Sequence, residues 1–176
     1  SKYFPSYLFS KKVAIFREYS DCFFSSYQKR SNKIMMETKK GLKPSREEIL
    51  LHFKQANERL RSARILFKEG LYKDSVSRAY YACFEAATGA LLCKGIITKT
   101  HAGLLQLFSL HFVKTRKIGI DLVKIFKEIE RWREEADYEA RRKFTEKEVR
   151  EAIEFAKEFI KEVESIAVKK KPNEEK

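Results

Sequence analysis

Three groups of residues in this chain have the types and spacing to act on a phosphate. The first is Arg133, Asp137 and Tyr138. A guanidinium is always charged and presents a planar fork of donors to phosphate oxygens. A carboxylate or an imidazole beside it would move the proton. Asp137 either serves as that base or pairs with Arg133 one helical turn away. Tyr138 is a poor base at neutral pH, since a phenol ordinarily titrates near about 10. No His follows Arg133 anywhere in the chain.

The second group is Lys99-Thr100-His101. It stands where a helix is expected to open, and free amides and the dipole at a helix N-terminus attract anions. Thr100 either caps the helix or joins a phosphate site with Lys99, and His101 either lies on the surface or supplies an imidazole. The third group is Arg78 with Tyr80 and Tyr81. An Arg among small residues on a packed helix needs a partner. Asp137 or Glu134 could be that partner, or Arg78 could reach a phosphate. Tyr81 either stacks on a base or packs in the core with its hydroxyl bonded. His52 has no partner near it in sequence, and His111 falls mid-helix; both read as structural.

Other chemistries leave no mark. P-loop, GxGxxG and HExxH motifs are absent, and no pair of carboxylates is convincingly spaced. Cys22, Cys83 and Cys93 form no CxxC pair, so a zinc site or disulfide framework is not expected. They read as small buried apolar residues. No metal or cofactor is expected.

The elements that must position these residues are helices. Ser45 and Glu48 have the spacing of a capping box. Ile49, Phe53, Ala56, Leu60, Ala63 and Phe67 then make one apolar stripe, ended by Gly70. A second helix is expected from about Leu71 to Lys94. Its inner strip, Ala79, Cys83, Ala86 and Ala90, is uniformly small and flanked by Tyr80, Tyr81 and Phe84. A third is expected from Thr100 to Thr115, with Leu104, Leu105, Leu107, Phe108 and Phe112 inward. A fourth spans Ile120 to Arg141, with Leu122, Ile125, Phe126, Ile129 and Trp132 inward. Thr145 and Glu148 make a second capping box. Val149, Ile153, Ala156, Phe159 or Ile160, Val163 and Ile166 form the last stripe. No segment alternates like a strand. The fold class is therefore all-α: an up-and-down bundle of four or five helices, with an extra N-terminal helical or irregular segment.

Composition fits that reading. Of 176 residues, 43% are hydrophobic and 36% charged. That is too apolar for a disordered chain and too interrupted to cross a membrane. Lys2, Lys11, Lys12 and Arg17 break up any signal-peptide core, so a cytoplasmic location is expected. Abundant Lys and Glu with few Asn and Gln suggest a thermophilic source.

The net charge is +13, divided as +7 over residues 1–44, +4 over 45–168 and +2 over 169–176. The excess therefore sits at the ends, and the middle is nearly balanced. Three parts are expected: a basic, aromatic extension and linker over 1–44, a helical bundle over 45–168, and a solvated tail over 169–176. The extension holds a possible amphipathic helix through Phe9, Val13, Phe16, Phe23 and Tyr27. Alternatively it lies upstream of a start at Met35 or Met36.

Three segments, taken together and in order, resemble the HEPN family. They are Ser77-Arg78-Ala79-Tyr80-Tyr81-Ala82-Cys83-Phe84; Lys99-Thr100-His101-Ala102-Gly103 with Leu107-Phe108 and His111-Phe112-Val113; and Arg133-Glu134-Glu135-Ala136-Asp137-Tyr138 with Phe144-Thr145. The resemblance spans about Ser45 to Ile166. It implies a helical bundle that usually forms a homodimer. Many members are ribonucleases, often toxins paired with a small nucleotidyltransferase that acts as antitoxin. Others bind nucleotides or serve as the transferase's partner. The ribonuclease members share an Arg followed, after four to six residues, by a His. Here Arg133 stands at the Arg, and Tyr138 stands where the shortest spacing would put the His.

Three functions follow as expectations. One is a module that binds nucleotide or RNA beside a nucleotidyltransferase, through Arg78, Tyr81, Lys99 and Thr100. Another is a metal-independent endoribonuclease toxin using Arg133 with His101, Asp137 or Tyr138. The last is a structural dimerisation domain.

Overall fold

Ser45 opens the first helix as its spacing predicts. Its Oγ accepts from the Glu48 amide at 3.1 Å, and the Glu48 carboxylate accepts from the Ser45 amide at 3.0 Å. Two otherwise unpaired backbone donors are thereby satisfied. The helix, α1 (Arg46–Lys68), ends where Gly70 adopts φ +74°, a left-handed conformation that L side chains rarely take. The computed structural model describes residues 44–98, 100–115 and 118–168, and leaves out the side chains of His101 and Val168. The expected extension helix, the start at Met35 or Met36, the basic tail, Cys22 and Lys99 all fall outside the described residues.

Four more helical elements follow. They are α2 (Tyr72–Leu92), α3 (His101–Phe108), α4 (Ile120–Tyr138) and α5 (Glu146–Val168). No strand occurs among the described residues, so the all-α bundle expected from the apolar stripes is what forms. The ends differ from the expected ones in three places. The second helix stops at Leu92, with Gly95 at φ +69° shortly after. The third does not run uniformly to Thr115; beyond Phe108 it widens into a π turn over Ser109–Val113. The fourth stops at Tyr138 rather than Arg141, because Glu139 turns to an extended conformation. At the last helix Thr145 and Glu148 form the expected reciprocal cap, at 2.8 and 3.3 Å.

The centre of the bundle is α2, which packs against α1, α4 and α5 and carries α3 near its end. Only small residues let three helices approach one helix closely. Ala79, Ala82, Cys83, Ala86, Ala87 and Ala90 are all fully buried. The Ser75 hydroxyl, also buried, donates to the Ala63 carbonyl at 2.8 Å and ties α2 to α1. Large rings fill the space that the small residues leave elsewhere. Phe126 lies 4.9 Å from Phe159, which lies 5.5 Å from Phe108, which stacks on Phe112 at 5.0 Å. That string joins α4, α5 and α3, and each such pair adds about 1 kcal/mol beyond its buried area. Tyr80, beside the small strip, is itself core, 1% exposed, with its ring 5.8 Å from Phe126.

Cys83 is buried as expected, but Cys93 is exposed, because α2 has already ended there. No helix among the described residues is long and apolar enough to cross a membrane.

Candidate functional site

The outward face of α2, between α1 and α4, gathers most of the chemistry-bearing side chains. Tyr81 is at its middle. Arg133 reaches it from α4, donating from Nη2 to the Tyr81 hydroxyl at 3.4 Å, with its guanidinium 5.7 Å from the ring centroid. The same guanidinium lies 6.0 Å from the Tyr80 ring and 5.9 Å from the Tyr138 ring. Arg59 reaches Tyr81 from α1, at 5.5 Å. Two cations thus share one aromatic ring, each within cation–π range.

Each cation is balanced by one carboxylate. Arg133 Nε lies 2.8 Å from Asp137 Oδ2. That buried N–H is not aligned on any acceptor, so the contact is a charge pairing and not a directed hydrogen bond. Asp137 Oδ1 accepts from the Ser77 hydroxyl at 2.8 Å. Asp137 is therefore held from two sides, which is the pairing its spacing from Arg133 allowed. Tyr138 is 78% exposed at the end of α4, beside Arg133 but free to meet a ligand.

Arg59 is paired more fully. Its Nε and Nη2 donate to Glu85 Oε1 at 3.1 and 2.9 Å, and His52 Nδ1 meets Glu85 Oε2 at 2.9 Å. Glu85 is 8% exposed. Burial pushes its carboxyl up, but the hydrogen bonds from His52 and Arg59 outweigh that and hold it below the ordinary value. This trio was not found from sequence, because its partners are 26 and 33 residues apart. A signal was nonetheless present: Glu85 is the only acidic residue between Asp74 and Asp121. A carboxylate in the middle of a helix of small, buried residues must be paired.

Gly89, one turn further along α2, sets how closely α1 can lie. A Cβ there would come within 3.2 Å of both His52 Cβ and the Phe53 ring. Glycine inside a helix costs about 1 kcal/mol relative to alanine, and here it makes room for the His52 segment.

Further along α4, Tyr80 donates to Glu130 at 3.3 Å. Burial, with repulsion from Glu134, raises the Glu130 carboxyl, and burial pulls the Lys127 ammonium down to about 8.

The other candidates are placed differently. Arg78 is exposed rather than packed. Of the two alternatives for Arg78, the pairing with Asp137 or Glu134 does not form; Asp137 meets Arg133 and accepts from Ser77 instead. Thr100 caps α3 by accepting from the Gly103 amide at 3.0 Å. Lys99 and the side chain of His101 lie outside the described residues. Among the described residues no group of three or more His, Cys, Asp or Glu could hold a metal.

Residues 49–166 match the model of the HEPN domain. The chain belongs to the HEPN domain family. A Methanocaldococcus jannaschii protein named "putative toxin" is 40% identical to this HEPN chain over 118 residues, covering 67% of this chain and 87% of the relative. A Thermotoga maritima "UPF0332 protein" is 32% identical over 122 residues, covering 69% and 92%. The crystal structure of TT1696 from Thermus thermophilus superposes with a TM-score of 0.59 at 22% identity, covering 67% of this chain and 97% of that one. This last likeness concerns the fold. The matched segment begins within α1 and ends within α5, so it contains Arg59, Tyr81, Glu85 and Arg133 together.

Proposed function

We propose that this HEPN chain is one component of a toxin–antitoxin-type pair, that a small nucleotidyltransferase is its partner, and that it binds RNA or a nucleotide on the outward face of α2. The observation that carries this reading is the pair of guanidiniums on Tyr81. Arg133 spends only one weak hydrogen bond and one charge contact there, and its Nη1 has no acceptor among the described residues. A phosphate would use those idle donors bidentately. Tyr138, exposed beside them, offers a face for a base, and exposed Arg78 adds charge at the edge. The names of the relatives support the toxin side of the reading.

In this reading residues 45–168 are the working unit, a cytoplasmic homodimer. Residues 1–44 and 169–176 add a basic extension and tail that strengthen nucleic-acid binding without specificity.

Fluorescence anisotropy with a labelled single-stranded RNA tests the reading. The full chain is expected to bind with a steep salt dependence, and Arg133→Ala is expected to bind at least about tenfold more weakly. Binding that Arg133→Ala leaves undiminished, or no binding at all, overturns it. Co-expression with a neighbouring nucleotidyltransferase tests the partner: the two should copurify at a fixed ratio.

A further inference from the structure

Along α4 and α5, several cations pair with carboxylates one turn away on their own helix. Lys124 lies 3.6 Å from Asp121, Arg131 meets Glu128 and Glu135, Arg150 meets Glu146, and Lys157 meets Glu154. One flank of α1 is different. Arg46, Lys54, Arg61, Arg64 and Lys68 are all exposed, and among the described residues none of these side chains has an ion pair or a hydrogen bond. We propose that this flank binds the phosphate backbone of a single nucleic-acid strand without reading its bases. The surface is separate from the arginine–tyrosine cluster on α2, and the proposal goes beyond the RNA reading of that cluster.

The cations fall in single file. With Leu50 and Asn57 between them, they succeed one another in steps of three and four residues. That spacing keeps them on one line along a helix of about 3.6 residues per turn. At about 1.5 Å per residue the line is roughly 33 Å long. On one side of it runs the buried row of Phe53, Ala56, Leu60 and Ala63. On the other stand Glu47 and Glu58, both exposed. His52 and Arg59, which meet Glu85 on α2, project from the opposite flank. The two surfaces therefore do not merge.

The arrangement works against α1 itself. Arg61 and Arg64 are like charges one turn apart, as are Arg64 and Lys68, and such neighbours repel. Arg46, in the first turn, stands at the positive end of the helix dipole, and only Lys68, in the last turn, suits it. A polyanion laid along the line relieves the repulsion at every position.

The shape of the surface indicates which polyanion. A line one residue wide, bordered by carboxylates, fits a chain of phosphates. A plane of lipid headgroups would press anions against Glu47 and Glu58. A protein partner would need an apolar anchor at the centre of its footprint, and the line offers only Leu50, 41% exposed, near one end. Backbone phosphates need charge and donors alone. Arg46, Arg61 and Arg64 supply forks that match phosphate oxygens. RNA and DNA share that chemistry.

The test is fluorescence anisotropy of the full chain with a labelled single-stranded RNA and a DNA of the same sequence, across a range of salt. On single strands each phosphate contact contributes about −0.7 to the slope of log affinity against log salt. Arg61→Gln with Arg64→Gln should therefore make the slope shallower by about 1.4, for RNA and DNA alike, with the thermal midpoint kept or slightly raised. Lys124→Gln with Arg131→Gln removes the same charge from paired cations of α4 and should leave the slope as it was. A change seen with only one of the nucleic acids assigns the line to that one. A slope that the α1 pair of substitutions leaves unchanged, or that the α4 pair lowers as much, overturns the proposal. So does labelled poly-glutamate that binds as tightly as the strands and is lost with the same α1 substitutions, because the line then belongs to an acidic protein. Arg133→Ala separates this proposal from the reading of the α2 face: its loss of affinity should add to that of the α1 pair. No effect of Arg133→Ala removes only the α2 reading, and a wild type that binds neither strand removes both.

Discussion

Two arginines on neighbouring stretches of this chain are held in opposite ways. Arg142 lies at the corner between α4 and α5. Its Nε donates to Glu135 at 2.9 Å, its Nη2 to Glu148 at 2.8 Å and its Nη1 to the Lys143 carbonyl at 2.7 Å, and its guanidinium lies 4.3 Å from the Phe144 ring centroid. Arg133, nine residues earlier, has one long bond to a phenol and an Nε beside a carboxylate it does not point at. The first arginine is spent on structure, since every nitrogen is engaged by a residue of the same corner. The second is held in place mainly by rings, which fix its position but leave its donors unused. A side chain positioned but not satisfied is what a ligand site requires.

The contrast breaks most visibly in stability. Arg142→Ala should destabilise the fold by about 2–3 kcal/mol, since two charge-assisted bonds and a ring contact are lost together. Thermal unfolding would show a midpoint several degrees lower, with RNA affinity per folded molecule unchanged. Arg133→Ala should do the reverse, losing affinity while its midpoint moves by no more than about 2 °C. Equal losses of stability in the two variants would erase the distinction.

Acid separates the two regions next. At the corner, burial pushes the Glu148 carboxyl up, but bonds from Thr145 and Arg142 outweigh it and hold the group below its ordinary value. A depressed carboxylate contributes stability that is present above its unfolded pKa and is lost as pH falls through the folded one. The thermal midpoint should therefore drop as pH falls below about 4, with Glu85 adding to the same limb, and Glu148→Gln should flatten that drop. On the face, Glu130 has the opposite sign. Its raised value means that the folded state favours the protonated form, and that contribution is lost as pH rises through the folded value. The smallest effect follows: Glu130→Gln should raise the midpoint at neutral pH by about 2 °C and narrow the difference between acid and neutral stability around α4. An unchanged or lower midpoint would mean that the charged Glu130 stabilises the fold at neutral pH.

Much of the fold could be read from residues a few positions apart. Ser45 with Glu48, Thr145 with Glu148 and Gly70 after Phe67 marked helix ends correctly, because a cap is made by side chains and amides within one turn. The Arg133–Asp137 pairing was legible for the same reason, as i and i+4 neighbours on one helix. The π turn after Phe108 and the early end at Tyr138 were not legible, since apolar periodicity carries past a local change in backbone hydrogen bonding. The choice left open for Arg78, between an ion pair and a phosphate contact, could not be made from spacing, because exposure depends on which face of α2 its neighbours cover. In fact α2 leaves one face open, and Arg78 lies on it. His52 looked partnerless because its partner is 33 residues away.

By itself, then, the sequence determined the helices, their caps, the bundle class and the family, because these depend on spacing within a turn or on a pattern spread along the whole chain. Tertiary structure alone decided which helices lie side by side. The small strip of α2 and the opening at Gly89 let α1 and α4 approach from two sides, and only that approach brings Arg59 and Arg133 to the same tyrosine and His52 to Glu85. Contacts between helices depend on the distance between their axes, which is set by the volume of every side chain between them. No short stretch of residues contains that information.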